Sequence, residues 1–415
     1  MKLLKENHTA ISTVLAFALI PLSGFATDVY IPSFPAMANF FGASYPDIQL
    51  TLVAFVVSYG ISQLFVGSLV DSFGRYRLSL VSLFTFAISS CVIALSHSIV
   101  LVLVMRIIQG ITIAVIAVSK RAFIMDIYSG EKLKHYTSLV SIVWAIAPIL
   151  APFIGGFLQY YFGWQSNFYF LAIVTIMLIA LEFLYSGETI KEPHPFNFKR
   201  LLNTYTEKLA TPDFSISLII LGLCYSLLIM FNMASPFIIE QVFHHSPVAT
   251  GNSALVSGLA ILAGSLLAKW SIRRPMVNKI TIACISLLVL PALLIAIMIY
   301  NPSLSLMMAT IFLIHIASGF IYNTFYPYAV TRFSAHAGIV SGLTGAGTHI
   351  ITSLVSYIVA SMLSVKDPVM LAVGYLTITT MIVASIVVFT FIKRTATADQ
   401  KVMSDLKIEL EHTYQ

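Results

Sequence analysis

Asp28 and Arg106 interrupt apolar stretches long enough to cross a bilayer. Ionisable side chains at membrane depth are costly and mark solute or proton paths. Asp28 lies about 16 Å from Asn39, the outer end of its stretch, and Arg106 about 13 Å from His97, on continuous helices of 1.5 Å rise. Similar depth on different helices lets them share one polar cavity. Loss of water favours a neutral carboxyl, and a nearby guanidinium favours the ionised one. A carboxyl held between those effects loads and releases a proton. A fixed structural ion pair is the competing reading. The remaining polar interruptions carry less. Glu182 and Asp126 lie low enough to reach an interface, and His315 and His349 read as neutral, hydrogen-bonded residues.

Three further patterns surround the pair. Arg106, Gln109 and Gly110 fall at i, i+3 and i+4, so they share one helix face. Pro148, Pro152, Gly155 and Gly156 also share a face, read either as a bending element that helps close the cavity or as a small-residue packing face. The segment from Gly67 to Arg77 holds Asp71 between Gly67 and Gly74, followed by Arg75 and Arg77. It reads as an ordinary charged loop or as a latch, in which Asp71 caps a helix or pairs with a base in one conformation only.

The elements that position these residues follow from composition. The 415 residues are 58% hydrophobic and only 10% charged, with mean hydropathy +0.92. Soluble domains carry roughly 25% charged residues, so the bilayer must be the solvent for most of this chain. Apolar runs fall near 10–35, 48–70, 77–97, 99–121, 135–158 and 165–186. After a polar stretch they resume near 213–239, 250–271, 277–300, 304–330, 338–363 and 368–392. The first run follows Lys2 and Lys5 like a signal peptide, yet it reads as an uncleaved span. With the N-terminus inside, all but Lys366 and Arg106 of the 23 Lys and Arg residues fall on the cytoplasmic side. Both termini are therefore expected in the cytoplasm, and the number of spans is even. Gly67-Ser68-Leu69 and Gly264-Ser265-Leu266 close the second and eighth spans like a faded duplication. The expected fold is an all-α membrane protein of twelve transmembrane helices in two six-helix bundles. The bundles cover 1–187 and 213–415, joined by a cytoplasmic linker over 188–212.

Cys91, Cys224 and Cys284 are isolated in apolar runs and form neither a disulfide framework nor a metal site. No HExxH, GxSxG or phosphate-binding loop is present, so an enzyme, a resident cofactor, a metal and direct use of ATP are not expected. Nucleic acid is not an expected partner.

The Gly67–Arg77 segment resembles the G-x-L-x-D-x-x-G-R-x-R loop of the major facilitator superfamily, and Arg106-x-x-Gln109-Gly110 resembles its fourth-span motif. Ala147-Pro148 through Gly156 is similar to the antiporter motif, with Ala147 where Gly is usual. Thr27-Asp28-x-Tyr30-x-Pro32, Arg121, Asp126 and Ser235-Pro236 resemble the twelve-span drug:proton antiporter family, bicyclomycin- and chloramphenicol-resistance branch. The resemblance implies a rocker-switch fold with a central cavity between spans 1, 4, 7 and 10. It adds Tyr30, Asn232, Tyr322, Asn323 and Tyr326 as cavity candidates beside Asp28, Arg106 and Gln109. It implies proton-coupled efflux of small lipophilic compounds from a bacterial cell, across the inner membrane. A monomer is the simplest expectation. A carrier for a dedicated metabolite or siderophore, in either direction, is the alternative.

Overall fold

The computed structural model describes residues 3–190, 198–271, 276–333, 337–363 and 366–413. Lys2, Lys191, Arg273 and Arg274, which entered the charge argument, lie outside the described residues. The chain is all-α. The first half holds α1 (Thr9–Leu19), α2 (Leu22–Asp28), α3 (Phe34–Phe41), α4 (Tyr45–Phe73), α5 (Arg75–Leu95), α6 (Ile99–Ile127), α7 (Gly130–Phe162) and α8 (Gln165–Tyr185). Then follow α9 (Phe198–Leu209), α10 (Pro212–Phe237), α11 (Pro247–Trp270), α12 (Met276–Tyr300), α13 (Leu304–Thr331), α14 (Ala337–Met362) and α15 (Pro368–Thr413).

Among the described residues, eleven helical segments are long and apolar enough to cross a membrane, counting Glu6–Phe41 as one. The remaining expected span is α7, a 33-residue helix whose apolar part is Ile146–Phe162. Large apolar side chains such as Ile88, Met177, Ile282 and Val387 stand exposed on the outer helix faces, as a lipid solvent allows.

The sequence read the first span as one helix, and the structure corrects this. Pro21, Pro32 and Pro35 cannot donate a backbone hydrogen bond, and the segment divides into α1, α2, a 3₁₀ turn over Ile31–Ser33, and α3. Pro236 acts in the same way late in α10, which ends in a π-helical turn, Ile238–Val242. The polar stretch expected as a plain linker contains α9, which buries Leu201 and Tyr205 in the C-terminal apolar core. Burial pushes the Tyr205 phenol up to about 12, so it stays a donor, and it bonds the Leu64 carbonyl of α4 at 2.6 Å.

Among the described residues two large apolar cores organise the helices, with a smaller cluster at Ala16, Ile20 and Phe123. One is built mostly from α1–α8, around Phe55, Phe86 and Phe168. The other is built from α9–α15, around Phe214, Phe231 and Phe325. Contacts repeat between the halves. α4 packs on α6 as α11 packs on α13, and α5 packs on α8 as α12 packs on α15. Across the seam, α4 lies against α14 and α7 against α11. Gly67 and Gly264 sit at equivalent places near the ends of α4 and α11. Only Gly264 is closely packed, against the backbone of α13 at Ile316 and Phe320.

Polar groups pin each half. In the C-terminal half His315 bonds Ser257 through Nδ1 and Tyr375 through Nε2 (2.8 Å), which ties α11, α13 and α15 together. In the N-terminal half the Lys120 ammonium meets the Glu182 carboxylate at 2.6 Å, and both are buried. The sequence placed Glu182 near the interface; it is instead a core ion pair. Removing one member leaves an uncompensated charge, at a cost of about 3–5 kcal/mol. Glu182→Ala is therefore expected to lower the thermal unfolding midpoint sharply in detergent. The double change Lys120→Met with Glu182→Leu is expected to recover most of that loss. A single variant as stable as the parent would refute the assignment.

Candidate functional site

The site grows from the break in the first span. Pro32 has no N–H, so the Asp28 carbonyl lacks its helical partner, and α2 ends at Asp28. Arg106 holds this end. One Nη1 donates to the Ala26 carbonyl (2.8 Å) and to Gln109 Oε1 (2.9 Å), and Nε reaches the Thr51 carbonyl at 3.4 Å. The guanidinium lies between the rings of Tyr30 and Phe55, 4.4 Å and 4.2 Å from their centroids. Tyr30 bonds Thr51 at 2.9 Å, and Gln109 donates to Ser90 at 2.9 Å. Arg106, Gln109 and Tyr30 are thus fully buried in one framework inside the N-terminal half.

Asp28 points elsewhere. Among the described residues no ion pair joins it to Arg106; its Oδ1 accepts from Asn232 Nδ2 of α10 at 3.4 Å. The expected sharing of one cavity is corrected accordingly. Asp28 lines the space between the halves, and Arg106 supports the backbone behind it. Straight-helix depths missed this because the helix is not straight.

The cavity is small, about 20 Å³, and partly open to the surroundings. Ser23, Gly24, Thr27 and Asp28 of α2 form one wall, with Val56 and Tyr59 of α4 and Pro148 of α7. Tyr225 and Ile229 of α10 and His349 of α14 close it from the other half. Tyr59, Tyr225 and His349 went unassigned from sequence as wall residues. Their signal was polar side chains in apolar runs, which hydropathy averages away. Of the other cavity candidates, Tyr322 stacks on Tyr326 (centroids 5.7 Å) and lies 6.3 Å from the Tyr225 ring. They extend the aromatic wall away from Asp28, with Tyr326 exposed. Asn323 does not face the cavity: its amide donates to Ser265 of α11 (2.6 Å) and to the Gly319 carbonyl.

The proline and glycine face of α7 is a contact seam. The helix runs unbroken through Pro148 and Pro152. A Cβ on Gly155 would strike the Val29 carbonyl, one residue past Asp28, and one on Gly156 would meet the Pro247 carbonyl of α11. Gly24 sits equally close to Ala147 and Pro148. Small residues here let α7 touch both the break and the opposite half.

On the face carrying the basic loops, Arg75 pairs with Asp71 at 3.0 Å and with Asp126, and also bonds the Ala122 carbonyl. Asp71 caps no helix; Glu188 does, accepting from the backbone of Arg75 and Tyr76 at the start of α5. Gly74 takes φ +94°, which a side chain would resist. Arg77 is exposed, and a Cβ on Gly67 would meet open space.

The Major Facilitator Superfamily model matches residues 16–356. YdgK of Bacillus subtilis, an uncharacterized MFS-type transporter, is 27% identical over 367 residues, covering 87% of this chain and 90% of its own length. The bicyclomycin resistance protein homolog of Haemophilus influenzae is 31% identical over 188 residues, 45% of this chain and 47% of that protein. Multidrug resistance protein D of Escherichia coli is 26% identical over 218 residues, 52% and 55% of the two chains. The last two matches span about half of each relative. Among solved structures, the nucleoside transporter NupG superposes with TM-score 0.68 at 13% identity, covering 92% of this chain and 99% of that one. A bacterial homolog of the human lysosomal transporter Spinster gives 0.65 at 16%, covering 93% and 96%. At these identities the likeness concerns the fold.

The geometry makes two outcomes measurable as initial rates of flux in reconstituted vesicles. Arg106→Lys keeps the charge but loses the fork that reaches Ala26 and Gln109 together, and is expected to slow transport about tenfold or more. Gly155→Val is expected to abolish it, while Gly67→Ala is expected to stay within about twofold, because only Gly155 lacks room for a Cβ. A Gly155→Val chain as active as the parent would show that the contact with Val29 is dispensable.

Proposed function

Because the chain belongs to the major facilitator superfamily, we propose that it exports small lipophilic compounds in exchange for protons, with Asp28 as the proton-carrying group. Membership in a family of transporters makes it a carrier of small molecules, not an enzyme. Its relatives make it a multi-pass bacterial membrane protein. Efflux, proton coupling and a drug-like cargo are the inferred part. The names of the Haemophilus influenzae and Escherichia coli relatives support the cargo class.

One observation carries the reading: Asp28 is buried in the central cavity at the end of a broken helix, and its hydrogen-bond partner, Asn232, comes from the opposite half. A carboxyl so placed couples its protonation to a contact across the seam. When ionised it accepts from Asn232 and draws α2 to α10. When protonated that bond weakens, and the carboxyl becomes a donor. Proton loading therefore biases the two arrangements of the halves.

The seam is tied on either side of the cavity. On the basic face α4 crosses α14, where Gly60 backs on His349 and Gly345 on Gln63. On the other face Tyr45 stacks on Phe237 with centroids 4.0 Å apart and bonds Gln241, and Gln49 donates to the Met233 carbonyl (3.1 Å). Alternating access opens one tie while the other holds. We place the basic face, with both termini, in the cytoplasm of a cell bounded by an inner membrane, and the carrier as a monomer. There the Asp71–Arg75–Asp126 cluster acts as the latch beside the crossing of α4 and α14.

Inverted vesicles from a pump-deficient bacterium test the proposal. Addition of a lipophilic cargo is expected to release protons from acid-loaded vesicles containing the parent chain. Asp28→Asn, which keeps the shape and removes the titration, is expected to abolish the release. Proton release undiminished in that variant would end the assignment of Asp28.

A further inference from the structure

The polar wall of the cavity is biased toward acceptors. Ser23 Oγ donates its single proton to the Ile20 carbonyl (3.1 Å), and Thr27 Oγ1 donates its own to the Ser23 carbonyl (2.7 Å). Both hydroxyls keep only lone pairs to offer. Asp28 adds a carboxyl, of which Oδ1 already accepts from Asn232. His349 supplies the acceptor from the C-terminal half. Its Nδ1 lies 2.7 Å from the Gly345 carbonyl, a group that can only accept, so Nδ1 carries the ring proton. Nε2 of the neutral ring is then the lone-pair nitrogen. Among the described residues no protein group bonds it, and the ring lines the cavity. The ring is also held in place. Its Cβ would lie 3.1 Å from a Cβ on Gly60, and Tyr59 stands edge-on to it with centroids 5.0 Å apart. The phenols of Tyr59 and Tyr225 serve as donor or acceptor.

We propose that this wall selects cargo by its hydrogen-bond donors, with His349 as the specificity-determining acceptor, and that the favoured cargo is an apolar ring carrying an N–H-bearing ammonium group. The inference rests on the export reading, in which this cavity is the cargo site. Tyr59 and Tyr225 line the cavity with aromatic rings, which suit the apolar part and attract any cation. That attraction does not tell N–H from N–CH₃; the fixed acceptors do.

The test compares naphthylmethylamine with its N,N,N-trimethyl derivative, which has the same charge and ring and no donor. Equilibrium binding to the purified full chain in detergent at neutral pH, with no proton gradient, is the measurement. The parent chain is expected to bind the amine about tenfold or more tightly than the trimethyl probe. His349→Phe keeps a ring without the acceptor and is expected to reduce that ratio below about threefold. His349→Gln, whose amide oxygen restores an acceptor, is expected to recover it. Equal binding of both probes by the parent chain, binding of neither, or an equal loss of both in His349→Phe overturns the proposal. The parent ratio needs no variant, so a poorly folding His349→Phe leaves the decision in place. No gradient is applied, so a failure of proton exchange at Asp28 shows in the vesicle assay and not here.

Discussion

A buried guanidinium bonded to main-chain oxygen is the constraint on which the site depends. A helix that stops inside a membrane leaves carbonyls without partners, and no water is available to satisfy them. Arg106 meets that need at Ala26 and also reaches the Thr51 carbonyl of α4, with its charge between the Tyr30 and Phe55 rings. With the break stabilised from α6, Asp28 turns into the space between the halves. The cation thus shapes the acid's position without touching it.

The second requirement is closeness. Gly110 lets α6 lie against α4 at Phe55 and Ser58, which brings Arg106 within reach of Thr51. Gly155 lets α7 lie on Val29, and Gly251 and Gly258 let α11 lie on α7. Packing and small-residue contact, rather than a hydrophobic drive, hold helices together in lipid. These glycines therefore decide how near the two halves come to Asp28. The C-terminal half contributes Tyr225, Ile229 and His349 to the same space, from a bundle whose centre is fixed by the His315 bonds.

Much of the fold was legible because lipid imposes length. Apolar runs gave the spans. Asp28, Arg106 and Gln109 stood out because polar atoms in those runs are rare. The break in the first span was less legible. Pro21, Pro32 and Pro35 were visible, yet membrane helices tolerate proline when neighbours satisfy the freed groups. That satisfaction came from Arg106, eighty residues away in α6. Separation in sequence likewise hid the pairing of Lys120 with Glu182 and the cap that Glu188 places on α5. Asn323 was placed by likeness, and a hydrogen bond to Ser265 directs it to α11 instead. His349 looked like an ordinary buried histidine. Only the backbone partner of Nδ1 reveals which nitrogen faces the cavity.

The seam is stitched at both ends by a side chain reaching a main-chain carbonyl: Gln49 to Met233 on one face, Tyr205 to Leu64 on the other. Every amino acid supplies a carbonyl. Half of each stitch is therefore indifferent to side-chain identity, and only packing constrains Leu64 and the fully buried Met233. Gln49 and Tyr205 carry the whole chemical requirement of the stitch, and their carbonyl partners answer only for shape.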